Sequence, residues 1–170
     1  NGLVMTRQGI GAFVATDSSR LTFRIASDGI DGPNAIAEVL RVMELRLAVE
    51  TEAAALAATR ATKKQVTQIR DALRAIDTAI AAEQSAVQED FAFHRTIAEA
   101  TNNQHFADFL AFLGRHVIPR QIIRVNQSSR QEQQSYLAAI QKDHIAIADA
   151  IGAKNAAGAR KAMRSHLSKS

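Results

Sequence analysis

The stretch "HIAIADAIGAKNAAGARKAMRSH", residues 144–166, carries a histidine at each end, 22 positions apart. Along one unbroken helix that separation is roughly 33 Å, too far for two imidazoles to share an ion. The middle of the stretch changes the geometry. "GAKN", residues 152–155, interrupts the helical pattern, with His144 eight residues before Gly152 and His166 eleven after Asn155. If the chain reverses there, with Gly152 as the break, the two imidazoles return to nearly the same level on neighbouring antiparallel helices. The expectation is a helical bundle with two histidines side by side in its interior, where bundles commonly build metal sites.

A second pair lies upstream, in "EDFAFHRTIAEATNN", residues 89–103. Asp90 stands four positions before His94, one helical turn away on the same face. Together with His144 and His166 this makes one carboxylate and three imidazoles. Such a set suits Zn²⁺, Ni²⁺, Mn²⁺ or Fe²⁺ and does not choose among them, Zn²⁺ being the first expectation. With Zn²⁺ the bonds are about 2.0–2.2 Å long, and a position stays open for water or an anion. A lone histidine is ordinarily core filler or surface, and His105 and His116, which lack any such spacing, are read that way.

Composition supports a helical chain. Of 170 residues 46% are hydrophobic and only 5% aromatic, with two prolines. Alanine and unbranched side chains lose little rotamer freedom in helices. The absence of cysteine excludes disulfides and thiolate metal sites and agrees with a cytoplasmic protein. No apolar run approaches the roughly 20 residues that span a bilayer, so no membrane partner is expected. Net charge is +4, yet residues 151–170 alone contribute +5, leaving −1 for the rest. Cations near the end of a last helix complement its dipole, which explains them without a nucleic acid.

Along the chain, "GLVMTRQGIGAFVA" reads as two short strands around a tip at Gln8-Gly9-Ile10-Gly11. A lone hairpin is barely stable, so residues 1–26 read as the tail of a domain that begins upstream. Residues 27–34, with paired Asp and Gly and Pro33, read as a linker, and 35–170 as a helical domain. Ile36, Val39, Leu40, Met43 and Leu47 form an apolar stripe on a first helix reaching about Thr59. "TKKQ" at 62–65 and "SAVQ" at 85–88 read as capping boxes opening a second and a third helix. Asn102-Asn103 breaks the third. A fourth starts near Phe106 and bends near Pro119, "NQSSRQEQQS" is a polar loop into a fifth, and a sixth ends near Leu167. The fold class is all-α: an antiparallel bundle of about six helices behind a β-hairpin remnant.

In this order the motifs resemble the FadR-like branch of the GntR superfamily of bacterial transcription regulators. "GLVMTRQGIGAFVA" is similar to the wing closing that family's winged helix-turn-helix, and "EVLRVMELRLAVETEAAALAA" to the first helix of its effector-binding domain, the FCD domain. "DFAFHRTIAEATNN" matches its Asp-x3-His signature, and "DHIAIADAIGAKNAAGARKAMRSHL" its closing helix pair. The resemblance implies a homodimer that binds DNA through its N-terminal domain. It also implies a divalent metal held by Asp90, His94, His144 and His166, with a small carboxylate or sugar-acid effector completing the site. The recognition helix has no counterpart in these residues, so they alone should not read a DNA sequence. In the intact protein Arg7, Gln8 and Gly9 of the wing would approach the DNA backbone or minor groove, the alternative being a solvated hairpin tip.

For the effector, Arg46 on the first helix offers a planar fork that suits a carboxylate. The alternative is an ion pair with Glu50, one turn on. Arg120, Arg124 and Asn103 are further effector candidates, Asn103 being equally suited to ending a helix. A metal-dependent enzyme acting on a small organic acid is the competing function, and a purely structural metal a third. Hydrolysis needs a positioned general base, and neither Asp143 nor Glu99 falls on the face of Asp90 and His94. A metal-dependent ligand sensor is the preferred reading.

Overall fold

A computed structural model describes the backbone of residues 4–7, 11–14, 35–114 and 130–169, and the side chains of 40–114 and 137–169. The chain divides into two compact units, Asn1–Glu38 and Val39–Ser170. In the first, strands β1 (Val4–Arg7) and β2 (Gly11–Val14) pair antiparallel, with Val4 opposite Val14 and Arg7 opposite Gly11. This is the expected hairpin. Its tip residues Gln8 and Gly9, the linker, the Pro119 bend, Arg120, Arg124 and His116 lie outside the described residues.

The rest is all α. Helices α1 (Ala35–Arg60), α2 (Lys63–Ala81) and α3 (Val87–Glu99) are followed by α4, described over residues 104–114. Helices α5 (Arg130–Gly152) and α6 (Ala156–Leu167) complete the unit. Helix α2 packs on α3 and α5, and α5 on α6. Phe93, Ile97, Ile69, Ile76, Ile147, Ile151 and Met163 form the core, with the small residues Ala54, Ala57 and Ala58 of α1 set among them. Between Thr51 and Ala58 only Glu52 is exposed. A helix buried on nearly every side belongs at the centre of a bundle.

Local chemistry fixes the helix ends. Thr62 forms the expected capping box with Gln65, each side chain bonded to the other's backbone N–H. Thr62→Ala should cost about 1 kcal/mol, read as a lowered urea midpoint with unchanged slope. The second proposed box is absent: α3 starts after Ala86, which makes no side-chain cap bond. There Glu89 and Asp90 in the first turn offset the exposed N–H groups through the helix dipole.

The break after α3 is made by Asn102, which adopts the left-handed conformation at φ 54. Its side chain donates to Arg60 O at 3.0 Å and accepts from Gln65 Nε2 at 2.9 Å, tying the α1–α2 turn to the end of α3. The fifth helix begins at Arg130, inside the stretch expected to be loop. Polar glutamines are good helix formers, and nothing in "RQEQQS" forbids a helical backbone.

The reversal at "GAKN" is real but is not made by its glycine. Gly152 ends α5 in helical conformation, while Lys154 takes the left-handed position at φ 56. Asn155 N bonds back to Ala150 O at 2.9 Å and Lys154 N to Ile151 O at 3.0 Å. These are the two bonds of a Schellman ending. At Gly152 a Cβ would meet the flexible end of Arg70, Nη2, at 3.2 Å, so a small shift of that side chain would admit it. The side chain of Asn155 then caps α6 by accepting from Gly158 N.

Candidate metal centre

Three separate segments deliver four donors to one point. Asp90 and His94 come from successive turns of α3, His144 from α5 and His166 from the last turn of α6. One donor atom from each lies within 4.8 Å of the others. His144 Nε2 is 3.1 Å from Asp90 Oδ1, His94 Nε2 is 3.1 Å from His166 Nε2, and His94 Nε2 is 3.9 Å from Asp90 Oδ1. The reversal places the His144 and His166 rings 4.5 Å apart between centroids.

These spacings fit a cation. Two ligands bonded to one ion at about 2.1 Å stand about 3.0–3.4 Å apart when adjacent and about 4.2 Å when opposite. Two neutral imidazole nitrogens 3.1 Å apart with facing lone pairs repel unless a proton or a cation lies between them. His144 Nε2 is likewise buried and, despite Asp90 at 3.1 Å, makes no well-aligned hydrogen bond. The three histidines are at most 3% exposed, whereas the Asp90 side chain retains 19% exposure.

Protonation states are set by this environment. Burial pushes the His166 imidazole down, and repulsion from His94 and His144 adds to it, to about 2. Burial also lowers His144, against the opposing pull of Asp90. Both rings are therefore neutral at physiological pH, the state in which imidazole binds metal. Burial would raise the Asp90 carboxyl, but His144 and His94 outweigh it and hold it well below the usual carboxylate range. The centre thus presents one anion and the neutral imidazoles of His144 and His166.

Behind His94 lies a buried charged chain. Glu50 is 1% exposed, and its two oxygens bond His94 Nδ1 and Arg46 Nε. Burial alone would raise the Glu50 carboxyl, yet the charges and hydrogen bonds of Arg46 and His94 hold it at about 2. Arg46 is 5% exposed and takes up the ion pair with Glu50 named above as the alternative to effector contact.

The expected apolar stripe of α1 needs correcting in consequence. Leu40 is 58% exposed and Met43 and Leu47 only part-buried, while Val42, Arg46 and Glu50 are buried. Polar residues that back the centre share the inner face with Leu47, which packs against the core, while the side chains of Ile36 and Val39 lie outside the described residues. Asn103 serves as a cap: its Oδ1 accepts from His105 N at 3.1 Å at the start of α4. His105 is exposed and outside the cluster. Asp143 pairs with Lys169, and Glu99 with Arg95, away from the donors.

Sequence reasoning did not reach Gln141, one turn before His144 on α5. Its Oε1 lies 3.3 Å from His144 Nδ1, and its Nε2 bonds Asp77 Oδ1 at 2.7 Å and Leu73 O at 3.2 Å. The spacing Gln141-x-x-His144 was the available signal, but the partners on α2 are more than sixty residues away.

Residues 41–169 match the family model of the FCD domain. The HTH-type transcriptional regulator LutR of Bacillus subtilis (strain 168) is 29% identical over 133 residues, which cover 76% of this chain and 59% of LutR. The chain thus spans about three-fifths of that relative's length. Among solved structures, Streptococcus agalactiae GntR superposes with a TM-score of 0.69 at 21% identity, over 98% of this chain and 73% of that one. E. coli McbR/YncC gives 0.68 at 13% identity, over 98% and 74%. At those identities the likeness is one of fold. Among the described residues no helix is long and apolar enough to cross a membrane.

Proposed function

Since the chain belongs to the FCD domain family, we propose that it is the metal- and effector-binding part of a GntR-type transcription regulator, working in the cytoplasm as a homodimer. The observation carrying this reading is the convergence of Asp90, His94, His144 and His166 within 4.8 Å. These residues would hold a divalent ion, Zn²⁺ first among the candidates. Such an ion supplies a Lewis-acidic position that an acid's carboxylate can occupy. Arg46 stands behind the centre, linked to it through Glu50 and the donor His94.

The role for the acid is recognition. The two carboxylates weighed as a general base, Asp143 and Glu99, pair with Lys169 and Arg95 instead. A small carboxylate or sugar acid bound there would bias the arrangement of the dimer and hence its grip on DNA, with Arg7, Gln8 and Gly9 at the wing. Native mass spectrometry of protein purified without chelator tests the core of this reading. A dimer carrying one divalent ion per chain is the expected result. Protein that neither retains such an ion nor takes up added Zn²⁺ would sink it.

The contribution of Arg46 is tested separately. Metal-loaded protein is titrated with a panel of mono-, di- and sugar carboxylic acids to find a binder. Arg46→Lys keeps the charge but loses the planar fork, so affinity should fall about tenfold or more. A change within about twofold would remove Arg46 from the effector site and leave it as the partner of Glu50.

A further inference from the structure

The two imidazoles best defined at the centre are backed differently. His94 has a carboxylate, Glu50, on its Nδ1, and His144 has a neutral amide, Gln141. An amide can face a ring nitrogen with either its oxygen or its NH₂ group, and here the surroundings decide which. The NH₂ group of Gln141 has two protons. Its Nε2 meets two acceptors, Asp77 Oδ1 at 2.7 Å and Leu73 O at 3.2 Å. Turning the amide over would set Oε1 against a carboxylate and a carbonyl, both acceptors only. The oxygen must therefore face His144 Nδ1, and an oxygen there favours a ring with its proton on Nδ1.

A competitor acts on the other side of the ring. Asp90 Oδ1 lies 3.1 Å from His144 Nε2 and would draw the proton to that nitrogen. A protonated Nε2 cannot bind an ion. The two tautomers of His144 thus answer to two neighbours, and only the one favoured by Gln141 leaves a bare lone pair in the centre.

We infer that Gln141 is the positioning residue of His144, holding its proton on Nδ1 so that Nε2 is ready for metal, and that Asp77 on α2 and the Leu73 carbonyl hold Gln141 in that orientation. This rests on the metal reading given above. It makes α2, which supplies no ligand, part of the machinery that sets affinity. Groups of this kind typically change metal affinity by about 10–100-fold when removed.

Long-range ¹⁵N–¹H NMR correlation on the metal-free protein reads the tautomer of each histidine, and Zn²⁺ affinity is read by competition with a chelating dye. Wild-type His144 should carry its proton on Nδ1. Gln141→Met fills the same space and replaces the amide oxygen by a thioether, a much weaker acceptor. It should move the proton to Nε2 and weaken Zn²⁺ about 10–100-fold, leaving the His94 tautomer unchanged. Wild-type His144 protonated on Nε2, or a Gln141→Met protein with an unmoved tautomer and affinity within about twofold, overturns the inference. Failure of the wild type to bind Zn²⁺ would overturn the metal reading alone, because the NMR result on the metal-free protein still decides what Gln141 does.

Discussion

Glu50→Ala is expected to destabilise the helical unit by about 3–5 kcal/mol, a large share of a domain's stability. Glu50 lies at 1% exposure between Arg46 Nε and His94 Nδ1. Removing it withdraws the anion that faces a cation itself only 5% exposed, in surroundings where water cannot replace the lost interaction. A cavity is left as well. Glu50→Gln keeps the shape and an acceptor and should cost about 1.5–3 kcal/mol, the worth of a hydrogen bond to a charged group.

The paired change Arg46→Met with Glu50→Leu removes both charges while keeping bulk, so it should recover much of the loss. Urea unfolding of the metal-free proteins, followed by helical signal, ranks the variants. A loss for Glu50→Ala no larger than a surface substitution's, about 0.5 kcal/mol, would mean that the Arg46–Glu50 pair carries no weight. Stability and function part company in the double variant. It should fold, yet His94 loses the acceptor on Nδ1, so Zn²⁺ affinity should stay about 10–100-fold below wild type.

How much of this could be read beforehand depends on how far apart the interacting residues stand in sequence. Asp90 and His94 are a local pair, visible from helical spacing alone, and the structure places them as that spacing requires. His144 and His166 needed one further inference, a chain reversal, and "GAKN" signalled it. The signal was correct in place and wrong in mechanism. Gly152 marked the break, but the bond from Asn155 N to Ala150 O comes with the left-handed conformation at Lys154.

Capping boxes show the same split. "TKKQ" and "SAVQ" fit one pattern, but only Thr62 sits at a helix boundary with the geometry to use it. The inner face of α1 was not legible because Arg46 and Glu50 break the apolar period where the centre needs them. Gln141 and Asp77 were hidden for another reason: their contact is tertiary, and nothing in either segment names the other.

The metal itself should dominate the stability of this unit. An ion bound only by the folded state adds about 4 kcal/mol when free metal exceeds the dissociation constant a thousandfold. For a chain of this size that is a rise of roughly 8–16 °C in melting temperature. His144→Ala should abolish the rise and release the ion, measured as metal content by elemental analysis after dialysis. The comparison has to be the metal-induced shift within each variant, because the substitution also acts on the metal-free protein. There it opens a small cavity, which destabilises, and removes a buried polar ring whose Nε2 has no hydrogen-bond partner, which stabilises. These opposed effects make the metal-free melting temperature a poor witness, whereas the shift isolates the ion. His105→Ala, on an exposed position outside the cluster, should keep the full shift. Equal metal content in wild type and His144→Ala would show that the ion, if bound, is held elsewhere, and the four-donor centre would fall with it.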